Sequence, residues 1–227
     1  MKITQFKQFY RGSNLPHWQP MGATFFVTFR LHGSIPLSKI IDLKHRFEER
    51  WQHFSKQPKF DLNELYKLEQ SRFFLAYDRL LDEPTNGPYY LQEPKLAQLV
   101  ADELHRYDGQ FYDLICYTIM SNHVHVLFNT ELQMPEHIQH RDWESLDFVP
   151  LQVIMKRIKG ASARYCNLEL GRTGQFWQHE SYDRVVRNEE EYWKIVNYIL
   201  QNPVKAQLVS CWEEFAHSYL AASHRLL

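Results

Sequence analysis

His123 and His125 flank one valine in the stretch Met120-Ser121-Asn122-His123-Val124-His125-Val126-Leu127-Phe128. Two imidazoles at positions i and i+2 can ligate a divalent cation if the chain is extended, because alternate side chains of a strand point to the same face. Val124, Val126 and Phe128 then take the other face, which can bury itself in a core. The strand rise sets the two histidines about 7 Å apart along the backbone, near enough to converge on one ion if the rings lean together. The expectation is a half-exposed histidine face. The pair alone leaves a metal site and two ordinary strand histidines equally open.

A second stretch has to decide between them. Tyr192-Trp193-Lys194-Ile195-Val196-Asn197-Tyr198-Ile199-Leu200-Gln201-Asn202-Pro203-Val204-Lys205 reads as a late helix that carries Tyr198 and ends in Asn-Pro-Val-Lys. It is accompanied by Leu15-Pro16-His17-Trp18 through Phe29-Arg30-Leu31, and by Phe176-Trp177-Gln178 through Asp183-Arg184-Val185-Val186-Arg187. In this order the elements resemble the single-tyrosine HUH transposases, most closely their REP-associated tyrosine transposase branch, over most of the chain apart from roughly residues 34 to 90.

The resemblance implies an α+β fold: a ferredoxin-like βαββαβ antiparallel sheet with helices on one face, a helical insertion, and a C-terminal helix carrying the catalytic tyrosine. It implies Tyr198 as nucleophile and His123, His125 and Asn202, the polar residue one turn after the tyrosine, as ligands of Mg²⁺ or Mn²⁺. The implied activity is metal-dependent cleavage and rejoining of single-stranded DNA through a 5′-phosphotyrosine link. The implied partners are hairpins of the repetitive extragenic palindrome type, bound by a monomer or homodimer in the bacterial cytoplasm, in association with the nucleoid. A module that grips structured single strands without cutting, and a hydrolase without a covalent intermediate, are the alternatives. His179 and Tyr182 are rival ligand and nucleophile.

The elements that must position these residues follow from pattern. Thr24-Phe25-Phe26-Val27-Thr28-Phe29-Arg30-Leu31 is a β-branched and aromatic run that predicts a first strand after a turn-rich arm containing Arg11 and Trp18. Ile40, Leu43, Phe47, Trp51 and Phe54 recur at helical spacing, and their aromatic stripe is expected to be core. Asp61 with Glu64 three residues on predicts the start of a second helix, and Pro94 the first turn of a third. Phe111 to Ile119 predicts a strand joined by a short turn to the histidine strand, hence antiparallel to it. Thr130 to Asp147 holds no clear element. Asn188 with Glu191 three residues on predicts that the tyrosine helix starts at Glu189, with Tyr192, Ile195, Val196 and Ile199 in its apolar stripe and Tyr198 on the flank.

Between the histidine and tyrosine elements, Leu151, Ile154, Met155 and Ile158 mark a helix whose other side shows Lys156, Arg157 and Lys159, followed by Arg164 and Arg172. These, with Arg11 and Trp18, are the candidate DNA-binding residues. Any such surface must be local, because 26 basic and 27 acidic residues leave a formal net charge of -1. Three cysteines without C-x-x-C pairing suit free thiols in a reducing compartment. The 227 residues are expected to form one domain, with a helical elaboration at about residues 34 to 90.

Overall fold

The computed structural model describes residues 9–11, 16–18, 20–57, 61–83, 87–134 and 147–224. Thr130 opens a short 3-10 turn, Glu131–Gln133, and residues 135–146 of the stretch read as irregular lie outside the described residues. The chain divides into two compact units, residues 1–30 with 90–227, and residues 31–89.

The larger unit holds a hairpin of β1 (Phe9–Arg11) and β2 (Pro16–Trp18), so Arg11 and Trp18 sit in a two-stranded ladder where the sequence suggested only turns. Its main sheet is built from β3 (Thr24–Arg30), β4 (Asp113–Ile119), β5 (His123–Asn129), β6 (Tyr182–Val185) and β7 (Ser218–Leu220). The spatial order is β6-β3-β5-β4-β7, and every pairing is antiparallel. Without β7, which sequence reasoning did not anticipate, the order is that of a ferredoxin-like sheet. β3 and β5 each have a strand on both sides, which is why a dense β-branched and aromatic run and the histidine run could both bury.

The register divides the sheet into two unlike faces. Phe25, Val27 and Phe29 stand opposite Phe128, Val126 and Val124 on one face. α3 (Pro94–Arg106) and α4 (Leu151–Glu169) cover it. Tyr112 stacks on Phe128 and donates its hydroxyl to the Leu104 carbonyl in α3, while Trp177 meets Phe29 edge-on and donates its indole N–H to Ser162 in α4. Phe26, Thr28 and Arg30 stand opposite Leu127, His125 and His123 on the other face. α5 (Glu189–Leu200) lies there, so the tyrosine helix and the α3–α4 pair take opposite sides.

The smaller unit is an antiparallel pair, α1 (Leu37–Phe54) and α2 (Leu62–Asp82). Phe47 packs against Phe73 and Trp51 against Tyr66, but the aromatic stripe of α1 expected to be core is only half-buried, because a two-helix pair encloses little, and only Leu43 of the helix is buried. Asp61 accepts the Glu64 N–H at the start of α2. Buried Glu69 is held between Arg50 and Arg72, which keeps its charge compensated. A Cβ on Gly87 would come within 2.6 Å of the Ser34 Cα, so only glycine allows the two ends of the unit to approach this closely.

Cys116 and Cys166 are buried free thiols, and Cys211 is exposed. No helix among the described residues is long and apolar enough to cross a membrane.

Candidate metal and tyrosine site

His123 and His125 share one face of β5, as alternation requires, but that face is not half-exposed: the two residues are 1% and 0% accessible. The expectation fails because α5 packs over this face, a contact between residues some seventy positions apart in sequence. Phe26 stacks on the His125 ring with centroids 5.8 Å apart, and Tyr198 meets the same ring edge-on at 5.5 Å.

Burial makes every ring nitrogen a group that needs a partner. His123 Nδ1 lies 2.6 Å from the Asn122 Oδ1, and His125 Nδ1 lies 2.8 Å from the Thr28 Oγ1. The two Nε2 atoms are 3.1 Å apart. Nitrogen ligands adjacent on one cation, each at its usual bond length, are separated by roughly 3.0–3.4 Å, so the pair already has the spacing of two ligands on one ion. Imidazole donors in this arrangement suit Mn²⁺ or another first-row metal better than Mg²⁺. Arg30 is buried and stands opposite His123 in the ladder.

The tyrosine helix starts where the capping pattern predicts. Asn188 is extended and its Oδ1 accepts the Glu191 N–H at 2.8 Å. Glu191 reaches back to the Arg187 N–H and pairs with Arg184 of β6, tying the helix start to the sheet. Ile195, Val196, Ile199 and Leu200 bury, and Tyr198 is half-buried on the flank. Its ring also meets Phe26 edge-on at 6.0 Å, so β3, β5 and α5 converge on it.

Beyond α5 the chain keeps a helical path despite Pro203. Gln201 has φ -78° and ψ -2°, the Lys205 N–H donates to the Gln201 carbonyl and the Ala206 N–H to that of Asn202. Pro203 falls in the first turn of α6 (Asn202–Lys205), where its missing N–H removes no bond. Tyr198, Asn202 and Lys205 thus follow at i, i+4 and i+7 along one side. Asn202 is 3% accessible, and its Oδ1 has no hydrogen-bond partner among the described residues. A buried acceptor left so costs about 1–3 kcal/mol, which a bound cation would offset. Lys205 Nζ stands 4.6 Å from the centroid of the Tyr198 ring.

The basic residues are divided. Lys156, Arg157 and Arg164 are exposed on α4, with Arg157 over the Phe111 ring at 4.8 Å. The sequence reading set this cluster beside the histidine and tyrosine elements, yet α4 covers the opposite sheet face, because its apolar stripe matches the all-apolar side of β3 and β5. Lys159 leaves the cluster: its ammonium donates to the Gln178 and His179 carbonyls and to Ser181 Oγ. Burial and the nearby Arg30 charge pull its pKa down to about 8. Arg172 lies over the Tyr90 ring at 5.0 Å and donates to the Gln175 carbonyl. Arg11 and Trp18 lie in the β1–β2 hairpin. His179 is exposed, and Tyr182 packs edge-on against Phe26.

Sequence reasoning missed Thr28, Arg30 and Lys205. The alternation Phe26-Thr28-Arg30 against Phe25-Val27-Phe29 was the available signal, since two polar residues at period two inside a buried strand mark a polar stripe within the core.

The fold and site define an α+β chain with a ferredoxin-like antiparallel sheet, bearing a buried histidine pair and a helical tyrosine on one face. No family model matches the chain, and no curated protein matches it. Among solved structures, the chain is similar to the REP-associated tyrosine transposase solved bound to a REP hairpin, at 15% identity. The match covers 91% of this chain and 82% of that one, with a TM-score of 0.49.

Proposed function

We propose that this chain is a metal-dependent single-stranded DNA endonuclease and strand transferase of the REP-associated tyrosine transposase kind, acting on hairpin-forming DNA. The observation that carries the reading is the contact between Tyr198 and His125, whose Nε2 stands 3.1 Å from that of His123. A tyrosine against a histidine pair of ligand spacing supplies a nucleophile beside a cation site.

In this reading His123 and His125 hold the cation, and the unpartnered Asn202 oxygen is the third ligand. When bound, a divalent ion supplies Lewis-acid polarisation of the scissile phosphate. Phe26 and His125 fix the Tyr198 ring so that little rotamer freedom remains to be lost in the attack. The Tyr198 oxygen bonds to phosphorus as the bond to the 3′ oxygen breaks. The Tyr198 hydroxyl is shielded from solvent here, so its phenol proton leaves on water that enters with the strand, and the departing oxygen takes one up as a free 3′-OH. Rejoining is the reverse with a second 3′-OH, and one phosphodiester replaces another without a nucleotide cofactor.

Incubation with a library of single-stranded hairpins and Mn²⁺, followed by denaturation, tests this. The expected product is a covalent protein–DNA adduct on the 5′ side of the nick. Cutting without an adduct makes the protein a hydrolase, and binding without cutting makes it a gripping module through its exposed basic residues.

A further inference from the structure

Strand alternation gives the sheet face under α5 two polar rows with an apolar one between them. Thr28, His125 and Thr118 stand side by side in the first row, and Phe26, Leu127 and Cys116 in the apolar one. Thr24, Asn129 and Asp113 form the second polar row, about 13 Å from the first by strand rise. This row floors a cavity of about 980 Å³, walled by Tyr192 and Trp193 of α5 and by His224 beyond β7. A space of this size suits a small molecule and exceeds what one purine ring fills.

The walls are held in place. The Tyr192 and Trp193 rings meet at 90° with centroids 5.1 Å apart, and the Tyr192 hydroxyl lies 2.8 Å from His224 Nδ1. Burial pushes the Tyr192 phenol above its ordinary pKa, so it keeps its proton and donates to the imidazole. The floor, by contrast, is unsatisfied. Thr24 is 3% accessible, and its hydroxyl makes no hydrogen bond among the described residues. Neither does the Asp113 carboxylate, and loss of solvent together with the Asp108 charge holds its pKa above the ordinary value. The Asn129 Oδ1 accepts the Glu131 N–H at 2.6 Å, which leaves the amide NH₂ to the cavity.

Across the floor the order is therefore two carboxylate acceptors, an amide donor, and a hydroxyl that can donate. Guanine carries the complement along one edge: the N2 amino and N1 N–H donors, then the O6 and N7 acceptors. Adenine would set its N1 lone pair against Asp113 and its amino group against the Asn129 NH₂. Phosphate is disfavoured, because the carboxylates of Asp108, Asp113 and Glu189 outnumber the charges that Arg187 and His224 can supply. We propose that this cavity is a binding site for a guanine nucleoside, apart from the path of the DNA strand. Asp113 takes the N1 and N2 donors, Asn129 and Thr24 serve O6 and N7, and Trp193 and Tyr192 flank the ring.

The inference goes beyond the cleavage reading and needs neither Tyr198 nor the histidines. Its test is a ligand-observed NMR titration of the full chain. Guanosine should bind saturably, inosine, which lacks the N2 amino group, about 10- to 100-fold more weakly, and adenosine more weakly still. Guanosine monophosphate should bind less well than the nucleoside. Asp113→Asn should lose about 10- to 100-fold in guanosine affinity with Tm unchanged, because the side chain is exposed at the start of β4. Thr24→Val should lose less.

A parent protein without saturable guanosine binding overturns the proposal, as does adenosine bound equally well or an Asp113→Asn protein that binds like the parent. Tighter binding of the monophosphate, or displacement of guanosine by a single-stranded hairpin, would make the cavity part of the strand path and overturn the separate site. Guanosine bound by a chain that forms no DNA adduct removes only the cleavage reading, and an adduct formed by a chain indifferent to guanosine removes only this one.

Discussion

Lys205 holds its ammonium 4.6 Å from the centre of the Tyr198 ring, seven residues further along a helical path that continues through Pro203. The lysine is exposed, so an incoming phosphate can reach it, and in the proposed reaction its charge lies over the ring of the attacking tyrosine. Lys205→Met should slow adduct formation on the order of 10-fold, with hairpin affinity changed far less and Lys205→Arg partly restoring the rate. Single-turnover kinetics beside a binding isotherm separate the two, and an equal loss in both would make Lys205 a plain binding residue.

Tyr198→Phe should abolish cleavage and the adduct while keeping metal and hairpin binding. The ring contacts with Phe26 and His125 survive in phenylalanine, so the stability change should stay within about 1 kcal/mol. An adduct on the variant would move the nucleophile to Tyr182, which packs edge-on against the same Phe26.

His123→Ala and His125→Ala should each eliminate cleavage, and their burial adds a stability cost that a half-exposed face would not carry. Each removal strands a hydrogen-bond partner, Asn122 Oδ1 or Thr28 Oγ1, at about 1–3 kcal/mol. Activity must therefore be assayed well below the melting temperature of each variant. Cutting at the parent rate by either would sink the metal reading, whereas full activity of Asn202→Ala would remove only the third ligand.

In the proposed site Mn²⁺ would bind only the folded pair of rings, so it should raise Tm, with about 2.7 kcal/mol of added stability when free metal is 100 times its Kd. Excess chelator should reverse the shift and stop cleavage. A parent protein whose melting is indifferent to Mn²⁺, Zn²⁺ and chelator would have no site of this kind.

Charge reversal at Lys156 and Arg157 should weaken single-strand binding and flatten its dependence on salt if the strand runs across α4, because phosphate contacts release counterions. Since α4 covers the face away from the histidines, an unchanged slope would direct the DNA to the opposite side, around Lys205. Lys159→Met should instead loosen the 178–181 segment, where its ammonium joins two carbonyls and Ser181, and limited proteolysis would detect that.

Local rules of the chain decided much of this molecule. The cap at Asn188, the proline opening α3, the aromatic stripe of α1, the antiparallel turn at Met120–Asn122 and the flank position of Tyr198 all follow from interactions within a few residues, which spacing encodes directly. Alternation alone put His123 and His125 on one face. Tertiary structure alone decided what that face meets. Thr28 is 97 positions from His125 and Tyr198 is 73, and no local pattern links them; strand order brings Thr28 alongside, and the side of the sheet chosen by α5 brings Tyr198. The same choice sent the basic helix to the far side, since the apolar stripe of α4 could bury only against the face made of Phe25, Val27 and Phe29. Long-range pairing of this kind depends on which surfaces fit together once the strands have formed, and a periodicity read along one chain carries no information about it.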